Sequence, residues 1–135
     1  MVSKELLQQT LGHLTVKEVV STDKNRIDNN IYYTVNEIDI LQSVNIYELA
    51  FKCKLWALNL TTIEGYAKHL NGFQLSTRLS MKDCYPYQCI CEVTYYEKYK
   101  DNIKQELVIK IADSEPEAIF KACNYIMELN DGKIS

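Results

Sequence analysis

Between Asn45 and Leu60 the apolar positions form two adjoining rows. Ile46, Leu49, Ala50, Cys53, Trp56, Ala57 and Leu60 recur at the i, i+3, i+4, i+7 spacing of one helical face. Tyr47, Phe51, Leu55 and Leu58 form a second row beside it, which leaves Glu48, Lys52, Lys54 and Asn59 for water. A helix this lopsided needs two neighbours. Asn45 followed by Glu48 is a capping box, so the helix is predicted to start at Ile46. Trp56 lies mid-stripe and is the truncation most expected to unfold the chain, at about 3–5 kcal/mol for a buried Trp.

After this helix, Thr61 to Leu70 reads as a further helical turn or two, stopped at Asn71-Gly72 with Gly72 as a left-handed terminator. The period then drops to two. Phe73, Leu75, Thr77, Leu79 and Met81 are predicted to point inward, with Gln74, Ser76, Arg78 and Ser80 outward. Asp83 to Pro86 makes a turn, and Tyr87, Cys89, Cys91, Val93 and Tyr95 share one face of the next strand. The run YEKYKDN turns the chain again. Leu107, Ile109 and Ile111 then oppose Lys104, Glu106 and Lys110 in a third strand. Connections this short favour an antiparallel meander. Ser114 with Glu117 caps a final helix that has Pro116 in its first turn, a stripe of Ile119, Ala122, Cys123, Ile126 and Leu129, and an exit at Asn130-Asp131-Gly132.

The predicted fold class is therefore α+β: a three-stranded antiparallel meander packed on one face by two main helices, in the order α-β-β-β-α. Residues 45–135 make this core domain, and residues 1–44 make a helix/strand segment that packs on it. In that segment Leu6, Leu7, Thr10, Leu11 and Leu14 suit a short helix capped by Ser3. Leu14 to Val20 and Ile31 to Val35 are β-rich runs joined by a polar loop, and they either extend the meander or cover a helix. Asn36 to Val44 is compatible with an extension of the second run or with a separate turn. The second row of the central helix, and Ile90, Val108 and Tyr96 on the outward side of the meander, need cover. The first forty residues or a second copy of the chain, as a homodimer, would supply it.

Composition narrows the function classes. The chain has 135 residues and a formal net charge of -3, so it has no bulk attraction for nucleic acid or an anionic membrane. The start, MVSKELLQQTLG, is too polar for a secretory signal, no apolar run approaches a membrane span, and the cysteine count is 5, an odd number. The expectation is a cytoplasmic protein with reduced thiols and no membrane partner.

The most suggestive surface segment is Thr94 to Lys104. There Tyr95, Tyr96 and Tyr99 interleave with Lys98, Lys100 and Lys104 at a hairpin tip, and Tyr85 and Tyr87 add aromatics in the preceding turn. Aromatic faces stack on bases and ammonium groups meet phosphates, so such a tip suits a nucleotide or a single strand. Tyrosine is equally a residue of protein interfaces, and Glu97 and Asp101 dilute the positive charge. Cys84, Cys89 and Cys91 bring to mind zinc, but Cys89 and Cys91 share an inward face, and neither His13 nor His69 completes a four-ligand set. Buried thiols acting as small hydrophobes are the better reading, with no metal and no cofactor expected. The sequence has no Gly-rich phosphate loop, no HExxH and no GxSxG, so no enzyme activity is expected.

Two stretches, IYELAFKCKLWAL at 46–58 and SEPEAIFKACNYIM at 114–127, flank the strand block. Together they resemble small phage and prophage proteins of the ABA-sandwich type, over roughly Asn45 to Gly132. The resemblance implies a helix, a short sheet and a closing helix with an Ala-rich apolar face, and it transfers no catalytic residues. It also implies a non-enzymatic binding protein of phage or prophage origin, an inhibitor or sequestering protein directed at a host defence component in the host cytoplasm. The alternative is a nucleic-acid or nucleotide module using the Tyr/Lys hairpin. The order of elements is also that of double-stranded RNA-binding domains. Here, however, Asp113, Glu115 and Glu117 stand at the start of the last helix, where they favour its dipole and repel phosphate.

Overall fold

The computed structural model describes residues 2–19, 28–60, 62–65, 68–81 and 87–130. The elements are α1 (Lys4–Leu11), β1 (Val16–Val19), β2 (Asn30–Val35), β3 (Ile38–Asn45), α2 (Ile46–Leu58), β4 (Thr62–Gly65), β5 (Lys68–Ser80), β6 (Gln88–Tyr99), β7 (Asn102–Ala112) and α3 (Glu115–Asn130). The fold is α+β, with two antiparallel sheets: one of three strands in the order β1-β2-β3 and one of four in the order β4-β5-β6-β7.

The helix ends follow from short polar side chains. Ser3 Oγ accepts from the Leu6 N–H at 3.1 Å, and Gly12 closes α1 in the left-handed region at φ 73°. Asn45 Oδ1 accepts from the Tyr47 N–H at 2.9 Å, so α2 starts at Ile46 as its capping pattern predicts. Ser114 Oγ accepts from the Glu117 N–H at 3.4 Å and caps α3. Ser114→Ala is expected to lower the unfolding free energy by about 1 kcal/mol in a denaturant titration. An unchanged midpoint would show that this longer bond contributes nothing.

The N-terminal strands form a sheet of their own and do not extend the meander. Asn36 and Glu37, at φ 53° and 60°, make the tight turn between β2 and β3, and Asn36 Oδ1 accepts from the Thr15 N–H and hydroxyl at 3.2 and 3.0 Å. Residues 38–45 are thus a third strand, which resolves the two readings left open for that segment. Leu14, assigned by pattern to both α1 and the first β-run, belongs to neither and is exposed. Most of the loop expected between the first two strands, the turn at Asp83–Pro86, and Asp131 and Gly132 lie outside the described residues.

A single core joins the segments. Val2, Leu6, Leu7, Val16, Tyr33 and Val44 pack with Leu49, Cys53 and Ala57 of α2, Phe73, Cys91 and Val93 of the four-stranded sheet, and the expected stripe of α3. Helices α2 and α3 lie on one face of that sheet, α3 against β4 to β7 and α2 against β5. The N-terminal segment leaves the second row of α2 exposed at Tyr47, Phe51, Leu55 and Leu58. Trp56 is half-buried at the rim of the core.

The described residues of the segment before Asn71, 62–65 and 68–70, are not helical: they are β4 and the first residues of β5, so the observed order from α2 onward is α-β-β-β-β-α. Gly72 does adopt the left-handed region, at φ 68°, but as part of a β-bulge inside β5, where Gly72 and Phe73 oppose Tyr95 between the Asn71–Tyr96 and Gln74–Thr94 pairs. The facing of β7 is also inverted. Tyr99 pairs with Asn102 across a two-residue turn, and the same register places Val93 opposite Val108 and Cys91 opposite Lys110. Directly opposed side chains share a face, so Val108, Lys110 and Ala112 face the helices, while Leu107, Ile109 and Ile111 face away. Lys110 is accommodated because its ammonium lies 4.8 Å from the centre of the Tyr125 ring.

Candidate functional site

The tip of the β6–β7 hairpin is set by Lys100 at φ 55° in the turn, and it distributes the predicted binding residues over both faces of the sheet. Tyr95 points inward and is buried, its ring stacked 5.2 Å from Phe73 and its hydroxyl 3.5 Å from that of Tyr125. Burial and the Tyr125 hydroxyl hold the Tyr95 phenol proton well above its ordinary range. Tyr95 is therefore part of the architecture and is withdrawn from any surface. Tyr96 points the other way and its ring lies over Gly72, where a Cβ would come within 3.0 Å of Tyr96 Cδ2. Lys98 shares that outer face. Tyr99 and Lys104 lie on the helix side, with the Lys100 ammonium 5.4 Å from the Tyr99 ring centre and Lys104 Nζ 3.2 Å from Glu106 Oε1. Tyr87 stands before the other end of β6, on the order of 40 Å from the tip at about 3.3 Å per residue. Tyr85 and Cys84 lie outside the described residues.

The structure does gather a surface that the alternation pattern had placed inside. Across the outer face the rungs run Arg78–Ile90–Ile111, Ser76–Glu92–Ile109, Gln74–Thr94–Leu107, Asn71–Tyr96–Gln105 and His69–Lys98–Ile103. Polarity is graded along them: β5 contributes polar side chains throughout, while β7 contributes Ile103, Leu107, Ile109 and Ile111. These four are 69, 56, 46 and 45 % exposed. Arg78 pairs with Glu92 at 3.3 Å on the polar side. An apolar strip of this length beside a polar margin is the composition of an interaction surface. The signal for it was present in the sequence. A two-residue turn at Lys100-Asp101 makes Tyr99 and Asn102 a closing pair on the helix side, and counting in twos from Asn102 puts every Ile and Leu of β7 on the other face.

The buried thiols are packing groups. Cys53, Cys91 and Cys123 are buried where α2, β6 and α3 meet, and Cys123 Sγ donates to the Cys53 carbonyl at 3.5 Å. Burial pushes the Cys91 thiol up to about 11, and that of Cys123 is raised by its sulfur hydrogen bond and by burial. Raised thiols are poor nucleophiles and poor metal ligands at neutral pH. Among the described residues no group of three or more His, Cys, Asp and Glu side chains is placed to hold a metal ion. His13 stands 6.3 Å from the Tyr33 ring, and His69 is on the outer face of β5, so the two histidines do not converge with the cysteines. A groove of about 520 Å³ lies along α1 and β1, lined by Lys4, Lys17, Glu18, Glu37 and Asp39 among others, away from every residue singled out by sequence.

No helix among the described residues is long and apolar enough to cross a membrane. No family model matches the chain, and neither a curated protein nor a solved structure matches it, so the likeness to phage ABA-sandwich proteins rests on its two helical stretches alone.

Proposed function

We propose that the chain is a non-enzymatic binding protein of phage or prophage origin that inhibits or sequesters a host protein through the outer face of β6 and β7. The observation that carries this reading is the exposed strip Ile103, Leu107, Ile109 and Ile111 on a regular, hydrogen-bonded sheet. Apolar side chains held on a rigid backbone lose little freedom on docking, and each contributes on binding in proportion to the area it buries, about 25 cal/mol per Å². The Tyr96 ring, opposite Gln105, stands between the Leu107 and Ile103 rungs and supplies the amphipathic kind of anchor that interfaces favour.

The test is affinity capture from bacterial lysate with the full chain as bait, against bait carrying Tyr96→Ser and Ile103→Ser. Both side chains are exposed, so the variant should keep its melting temperature and lose its captured protein by tenfold or more, about 1.4 kcal/mol. Equal capture by both baits would place the contact elsewhere. Capture of nucleic acid released by moderate salt would replace this reading with the nucleotide-binding one.

A further inference from the structure

We infer that β7 pairs antiparallel with β7 of a second copy about a two-fold axis at Val108, joining the two four-stranded sheets edge to edge. β7 is the last strand of its sheet and runs for 11 residues, long enough to template another strand. Two observations agree on which backbone groups it offers. Tyr99 and Asn102 close a two-residue hairpin, and such a closing pair exchanges its hydrogen bonds, so Asn102 and every second residue after it bond to β6. The N–H and C=O groups of Gln105, Leu107, Ile109 and Ile111 therefore point to the open edge. Lys121 Nζ donates to the Ile111 carbonyl at 2.9 Å, which is where an edge-directed oxygen would be found. That oxygen keeps a second lone pair for a partner strand.

Charge and length then select the register. Pairing about Glu106 sets Glu106 against itself, and pairing about Leu107 sets Lys104 against Lys110, so both place like charges side by side. Pairing about Gln105 matches Lys104 with Glu106 but joins only residues 102–108, and pairing about Ile109 joins only 106–112 and gains no opposite-charge pair. Pairing about Val108 sets Glu106 opposite the partner's Lys110 twice, and Leu107 opposite the partner's Ile109 twice. In this register Leu107 and the partner's Ile109 exchange backbone hydrogen bonds. Glu106 and the partner's Lys110 fall on the intervening non-bonded rung, where opposed Cα atoms approach to about 4.5 Å and side chains interact most closely. The symmetry is isologous and closed, so the edge is consumed in a dimer and does not propagate. The apolar strips of the two copies meet at the axis and form one surface across both sheets.

Sedimentation equilibrium of the free chain reads this without any bait, so a failure here leaves the host-protein reading standing. The wild type is expected at twice the chain mass of 15.7 kDa. Glu106→Lys and Lys110→Glu should each weaken dimerisation by about tenfold or more, because each creates two like-charge contacts, and the double exchange should restore it. Val108→Cys should form an intermolecular disulfide under mild oxidation where Gln105→Cys does not, since only residue 108 faces itself across the axis. A monomer at all concentrations would overturn the proposal. So would a dimer indifferent to both reversals, or crosslinking at 105 in place of 108.

Discussion

Phe73→Ala is expected to lower the free energy of unfolding by about 3–5 kcal/mol, a large part of the roughly 5–15 kcal/mol available to a domain. Phe73 is only 2 % exposed, and it enters the core from the bulge in β5, where Gly72 takes up the left-handed backbone that turns it inward. Its ring stacks on Tyr95, whose hydroxyl in turn meets that of Tyr125 on α3. Truncation therefore opens a cavity and also removes the ring that fixes the link between sheet and helix. Trp56→Ala, the change that the sequence alone singles out, should cost less, because Trp56 is half-buried and borders an open groove with Leu55, Asn59 and Leu60. Paired urea titrations decide this. A larger loss for Trp56→Ala than for Phe73→Ala would mean that the rim, and not the bulge, anchors the sheet.

The two aromatics show what periodicity can and cannot reveal. A 3.6-residue stripe identifies α2, and its buried members Leu49, Ala50, Cys53 and Ala57 are those it names. It does not say which end of a stripe reaches the rim, so Trp56 was ranked by size and not by depth. For the strands, a period of two gives two faces but not which is inner. In β5 and β6 the pattern names the helix-facing set through Phe73 and the run Cys91, Val93 and Tyr95, but Leu79, Met81 and Tyr87, which the same pattern points inward, are exposed. In β7 the apolar set is on the outside, and only the pairing register fixed by the Lys100-Asp101 turn distinguishes the faces. The candidate site failed in sequence for the same reason. The Tyr/Lys run is contiguous in the chain, yet alternation along β6 sends Tyr95 into the core and Tyr96 out over Gly72. The caps needed no tertiary information, because Ser3, Asn45 and Ser114 each act within three residues of themselves.

Cys123→Leu should destabilise the fold by about 1–3 kcal/mol or more, although it adds apolar volume to an apolar site. The reason is the closeness of α2 and α3. The two helices run side by side in the same sense, with Ala50 near Ile119 and the Cys123 thiol 3.5 Å from the Cys53 carbonyl, so side chain meets backbone with no layer between them. Ala57, Ala118 and Ala122 are fully buried, which keeps this part of the core lined by small side chains. A branched Cγ with two methyl groups in place of one sulfur must either leave its rotamer or push α2 outward, and α2 also packs on α1. Cys123→Ala, which removes one heavy atom and a weak hydrogen bond, should cost only about 1 kcal/mol. A loosely packed site would show the reverse order, with leucine tolerated better than alanine. Thermal or urea unfolding of the two variants thus tests whether the helix pair is held by contact through small residues, and a leucine variant as stable as wild type would refute it.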